Sequence, residues 1–146
     1  MTIDWSELLR VARATQRNAH APYSNYHVGA ALLSKSGKVF SGCNVENATF
    51  GLTICAERVA IVNMVAAGDS DPVALVVVTP GPPVGMPCGM CRQSLAEFAD
   101  DLPIQVAVPE GEVPPIETTL GELLPSAFRP QALAAANEGI GNNANS

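Results

Sequence analysis

The sequence predicts an α/β fold: a mixed β-sheet sandwiched between helices, an α-β-α three-layer arrangement. The run Val73-Ala-Leu-Val-Val-Val78 shows no polar alternation, as expected of a central strand covered on both faces. Val28 to Leu33 and Lys38 to Cys43 flank the turn Ser34-Lys-Ser-Gly37, the pattern of a β-hairpin. Helical and extended signals then follow in the order helix, hairpin, helix, strand, helix, strand, which builds a sheet with helices on its faces.

The first helix spans about 4–18, where Trp5, Leu8, Leu9, Ala12 and Ala19 recur at helical spacing. Asp4 or Ser6 can cap it, and Arg10, Arg13 and Arg17 sit toward its C-terminal half, as the helix dipole favours. Ala21-Pro-Tyr-Ser24 is a turn signal. Residues 44–53 are polar, contain Gly51 and read as loop. Residues 54–67 form the most apolar helix signal, stopped by Gly68 and expected to be buried on several sides. Four prolines and two glycines make 79–87 a stiff loop, 89–98 a short helix, 104–108 a strand and 120–124 a helical turn. Residues 1–130 read as one domain. The Ala/Asn-rich segment 131–146 lacks bulky core residues and reads as a flexible C-terminal tail.

Composition narrows the function classes. The net charge is −6 with eight Lys plus Arg, so nothing offers the cation cluster that binds a polynucleotide backbone through counterion release. No nucleic-acid partner is expected. There is no run of eighteen apolar residues, so no membrane span is expected, and the acidic N-terminus lacks the pattern of a signal peptide. A cytoplasmic location follows, in which four cysteines are better read as metal ligands or buried thiols than as disulfides.

The chemistry concentrates in two places, Cys55-Ala-Glu57 and Pro87-Cys-Gly-Met-Cys91. Cys-x-x-Cys alone is shared with redox motifs, but here a third cysteine stands at a separate helix start with a carboxylate two residues on. Catalytic zinc takes three protein ligands and keeps one position open. Cys55, Cys88 and Cys91 fill such a set, leaving Glu57 as general acid and base. Helix starts suit thiolates, because free N–H groups and the dipole lower a thiol's pKa. Three thiolates with one Zn²⁺ carry excess negative charge, which weakens the acidity of a bound water. Arg58 is either the remedy, by donating to the sulfurs, or a solvated helix residue. Cys43 reads as a buried thiol, His20 and His27 as loop residues, and Glu97 with Asp100 and Asp101 as a solvated helix end.

These motifs resemble the cytidine deaminases of the small, zinc-dependent nucleoside-salvage type, whose wider class carries His/Cys-x-Glu followed by Pro-Cys-x-x-Cys. The likeness extends through Pro22-Tyr-Ser-Asn-Tyr-His-Val-Gly-Ala-Ala31, Gly42-Cys-Asn-Val-Glu-Asn-Ala48, Thr53-Ile-Cys-Ala-Glu-Arg58, Cys91-Arg-Gln93 and Leu123-Leu-Pro-Ser-Ala-Phe128, covering about residues 20–130. The resemblance implies a cytidine-deaminase-like catalytic domain over 1–130, with one Zn²⁺ per chain held by Cys55, Cys88 and Cys91. It implies that Glu57 carries protons from the attacking water to N3 of the pyrimidine and on to the departing ammonia. The Ala56 N–H would face the base O2, Asn44 and Glu46 would hold the ribose 3′-hydroxyl, and Tyr26 would stack on the base. Phe128 would cover the base of a neighbouring subunit in a homotetramer with sites at subunit boundaries. The implied substrates are the free pyrimidine nucleosides cytidine and 2′-deoxycytidine. Tyr26 stands where Phe is common, His27 for Pro, Phe50 for Tyr and Met86 for Ser. Three other readings compete: deamination of a cytosine antibiotic nucleoside such as blasticidin S, a non-catalytic zinc-stabilised binding module, and polynucleotide editing.

Overall fold

The computed structural model describes residues 1–109 and 113–143. Helix α1 (Trp5–Gln16) opens the chain, capped by Asp4, whose carboxylate accepts from the Glu7 N–H at 3.1 Å. Strands β1 (Gly29–Ser34) and β2 (Val39–Cys43) form the hairpin, and α2 (Ala56–Ala66), β3 (Pro72–Val78), α3 (Gly89–Ala96) and β4 (Pro103–Ala107) follow. The chain then adds β5 (Ile116–Thr119), α4 (Leu120–Leu123) and α5 (Pro130–Asn143).

The five strands order as β2-β1-β3-β4-β5. The β3–β4 pair is parallel and the other pairs are antiparallel, so the sheet is mixed, as expected. Alternate strand residues divide between two cores, because successive side chains point to opposite faces. Ala30, Leu32, Leu75, Val77, Ile104 and Val106 pack beneath α2 and α3. Ala31, Leu33, Ala74, Val76 and Val78 pack beneath α1 through Leu8 and Ala12. The unalternating β3 run is thus explained, with Ala74 through Val78 fully buried between helices on both faces.

Register decides where the site forms. Gly29 pairs with both Cys43 and Val78, so the residues beyond these three ends, Val28, Asn44 and Thr79, gather at one edge of the sheet. Both helices carrying cysteines begin there. Glycine lets α2 approach closely: a Cβ at Gly42 would stand 2.3 Å from the Ala56 carbonyl oxygen and 2.5 Å from the Ala60 nitrogen. Gly42→Ala is therefore expected to push α2 off the sheet and destabilise the fold by about 1–3 kcal/mol. A thermal unfolding midpoint equal to wild type would contradict this.

Several expectations need correction. Strand β5 was not anticipated, since Ile-Glu-Thr-Thr is short and follows Pro114-Pro115. It gains its place by antiparallel pairing with β4. A 3₁₀ turn, Phe50–Leu52, interrupts the 44–53 loop. Residues 130–143, most of the segment expected as a flexible tail, form a helix, favoured by the high helix propensity of alanine, with 131–138 all exposed; residues 144–146 of that segment lie outside the described residues. Within one chain α2 buries a single face through Ala56, Ala60, Ile61 and Met64, leaving Val62 and Val65 exposed. Cys43 is only half-buried, because β2 is an edge strand. Asp101 is more than a solvated helix end, for its Oδ1 accepts from Leu102 and Gly121 N–H groups and ties β4 to α4.

Candidate zinc site and substrate cleft

Cys55 and Cys88 occupy the N-cap positions of α2 and α3 in extended conformation, and neither side chain makes a capping hydrogen bond. A cap is ordinarily Ser, Thr, Asp or Asn, whose oxygen satisfies a free helix N–H. Cysteine there leaves the thiol uncommitted. Cys91 lies on the first turn of α3, facing the same point. Among the described residues, these three offer sulfurs that all lie within 4.8 Å of one another.

The spacing fits zinc. Tetrahedral coordination with Zn–S bonds of about 2.3 Å places sulfurs about 3.8 Å apart. The Cys55–Cys88 separation is 3.8 Å and the Cys88–Cys91 separation 3.5 Å. Glu57, 5% exposed, stands beside them with Oε2 accepting from the Cys91 thiol at 3.6 Å.

The cluster's electrostatics follow from this crowding. The Cys91 thiol beside Cys55, with help from Arg58 and against the cost of burial, brings the Cys55 thiol down to about 5. Cys91 is pushed up by its bond to Cys55, by burial and by the nearby Glu57 charge. Burial raises Glu57 above the usual carboxylate range, and the Cys55 charge adds to it.

Burial opposes the Arg58 charge, but Cys55 and Cys91 outweigh it and hold the guanidinium more firmly protonated than usual. Its direct bond is from Nη2 to the Thr53 carbonyl at 3.1 Å, while its buried Nε has no hydrogen-bond partner. The half-buried side chain is therefore turned toward the thiol cluster, not out into solvent.

A cleft of about 400 Å³ opens above these groups. Tyr26, Asn44, Glu46, Cys55, Ala56, Glu57 and Cys88 all line it. Asn44 is 8% exposed; its Oδ1 accepts from Val28 N–H at 2.9 Å and its Nδ2 donates to the Tyr26 carbonyl at 2.7 Å. One N–H and one lone pair of that amide remain to offer. Glu46 accepts from the Tyr23 and Ser24 N–H groups at 3.0 and 3.1 Å and from the Ser24 hydroxyl. These bonds, the hydroxyl's first, hold its carboxyl below the usual range. The Ala56 N–H belongs to the first turn of α2, where N–H groups lack intrahelical partners.

Phe128 does not line this cleft. The residue is 60% exposed, and its carbonyl accepts from Gln93 Nε2 on α3 at 2.8 Å. The adjacent Arg129 grips the carbonyls of Ala96, Ala99 and Asp100, so the segment is fixed while the ring projects outward. Val28, Thr53, Thr79, Gly85 and Met86 also line the cleft, and no role was anticipated for them. Their signal was weak: Thr79 and Gly85 sat in a segment legible only as a stiff loop.

Residues 3–105 match the model of the cytidine and deoxycytidylate deaminase zinc-binding region. A cytidine deaminase of Sporosarcina psychrophila is 40% identical over 139 residues, covering 93% of this chain and 99% of that one. The crystal structure of a cytidine deaminase from Burkholderia pseudomallei superposes with a TM-score of 0.80 at 42% identity, covering 86% of this chain and 100% of the other. A blasticidin-S deaminase of Bacillus cereus is more distant, 32% identical over 113 residues, 72% of this chain and 79% of its own. The fold, the thiol cluster and these likenesses define a zinc-binding nucleoside-type deaminase. The chain belongs to the cytidine and deoxycytidylate deaminase family, and zinc is its cofactor.

Proposed function

We propose that this protein deaminates cytidine and 2′-deoxycytidine hydrolytically to uridine and 2′-deoxyuridine, releasing ammonia, in pyrimidine salvage. The observation that carries the reading is one buried carboxylate, Glu57, set against a zinc-spaced triangle of thiols in the floor of a nucleoside-sized cleft. Cys55, Cys88 and Cys91 would hold the zinc, which would supply the Lewis acidity that makes a water nucleophilic near neutral pH. Glu57 would take a proton from the attacking water and deliver it to N3 as oxygen adds to C4, then take the proton of the resulting C4 hydroxyl and pass it to the amino nitrogen, so that C4=O forms as the C4–N bond breaks and ammonia leaves. The Ala56 N–H orients the base through O2. Asn44 and Glu46 address the ribose 3′-hydroxyl, and the Tyr26 ring stacks on the pyrimidine.

Arg58 serves the thiols, not the substrate. Arg58→Ala is expected to lower kcat by about 10–100-fold with KM little changed. A change confined to KM would contradict this role.

The nucleic-acid reading lacks support in a chain of net charge −6. The antibiotic reading has its relative, but at lower identity and coverage. No helix among the described residues is long and apolar enough to cross a membrane, and we place the enzyme in the cytoplasm. Phe128, Phe50, Leu52, Val62 and Val65 expose apolar surface that supports assembly into a homotetramer, with Phe128 covering a neighbour's cleft. Ultraviolet assay of cytidine and deoxycytidine loss beside blasticidin S, with zinc quantified in the same preparation, tests the function. Zinc-loaded protein that turns over neither nucleoside would overturn it.

A further inference from the structure

Gly85 lies in the loop between β3 and α3, three residues before Cys88, and lines the cleft together with Tyr26 and Thr79. Its N–H donates to Thr79 Oγ1 at 3.2 Å. A Cβ built on it would stand 2.2 Å from the Tyr26 hydroxyl oxygen, 3.4 Å from Tyr26 Cζ and 3.3 Å from Thr79 Cγ2. The first distance is an overlap; the other two are contacts that a small shift accommodates. Gly85 does not have the positive φ of Gly37 and Gly68, so its backbone does not itself demand glycine. The demand comes from the far end of Tyr26.

The Tyr26 backbone cannot readily retreat from that contact. Its N–H donates to the Ser24 hydroxyl at 3.0 Å and its carbonyl accepts from Asn44 at 2.7 Å. Asn25 before it holds a left-handed φ of 55°. With the backbone anchored on both sides, a displaced ring moves by rotating about its own side-chain bonds into the open part of the cleft, where the base would lie.

We propose that Gly85 is a positioning residue for substrate binding: its bare backbone seats the Tyr26 hydroxyl and so sets how far the aromatic ring stands into the cleft. The proposal rests on the reading that Tyr26 stacks on the pyrimidine. Gly85 acts through the Tyr26 ring. Thr79 fixes the seat by accepting the Gly85 N–H, which ties the height of the loop to the end of β3.

The test is a double-mutant cycle on the zinc-loaded enzyme, with KM and kcat for cytidine, zinc content and unfolding midpoint measured for each protein. Gly85→Ala in the wild-type background is expected to raise KM by about tenfold or more with kcat within about threefold. The same substitution in a Tyr26→Phe background is expected to raise KM by less than about threefold, because the hydroxyl it collides with is gone. Equal KM increases in both backgrounds, or no increase in either, would overturn the proposal. A lower zinc content or unfolding midpoint without the background-dependent KM change would also overturn it, by assigning Gly85 a role in the loop alone. Tyr26→Ala separates the underlying reading: an unchanged KM there would remove Tyr26 from the base, whatever the cycle shows. Loss of cytidine turnover in the wild type would count against the proposed function instead.

Discussion

Glu57→Gln is expected to lower kcat for cytidine by about 10²–10⁴-fold while zinc content and nucleoside binding stay at wild-type levels. Glutamine keeps the size and one acceptor oxygen of the side chain but cannot take a proton from water or return one to nitrogen. Glu57 is buried, its Oε2 3.6 Å from the Cys91 sulfur, and no other described carboxylate lining the cleft approaches the thiols. Glu46, the other carboxylate lining the cleft, is tied to the Tyr23–Ser24 turn. Nothing nearby can therefore substitute as proton carrier. Steady-state kinetics with metal analysis and calorimetric titration with uridine decide the matter. Undiminished kcat would remove Glu57 from the reaction.

Cys88→Ala is expected to abolish tight zinc binding and, with it, much of the stability. A ligand that binds only the folded chain stabilises it by about 4 kcal/mol at a thousandfold excess over Kd, which corresponds to a drop in Tm of roughly 10 °C or more. The sulfurs of Cys55 and Cys91 both lie near Cys88, so its loss leaves a two-ligand site. Chelator should lower the wild-type Tm toward that of the variant and leave the variant unmoved. One tight zinc per chain in Cys88→Ala would refute the ligand assignment.

Much of this site was legible in the sequence because its parts are local. Cys55-Ala-Glu57 and Cys88-Gly-Met-Cys91 are short spacings at helix starts, and their residue types state their chemistry. The sheet was equally legible where burial leaves a signature, as in the unalternating β3. What escaped depends on distant partners. Strand β5 exists because β4 offers an edge, and four residues beside two prolines carry too little pattern to announce it. Asn44 has no visible second task until the fold brings Tyr26 and Val28 to its amide. Gly85 was one of two glycines in a proline-rich loop, and its meaning lies in a tyrosine 59 positions earlier in the chain.

The hairpin has a practical consequence. The chain contains two lysines, Lys35 and Lys38, both exposed at the turn joining β1 to β2. β1 runs away from the cleft, so this turn lies at the opposite end of the sheet. Both lysine amines therefore lie on the side remote from the zinc site. Coupling through these lysines to a resin, an electrode or a dye would attach the molecule by its back, with the mouth of the cleft facing outward and its chemistry untouched.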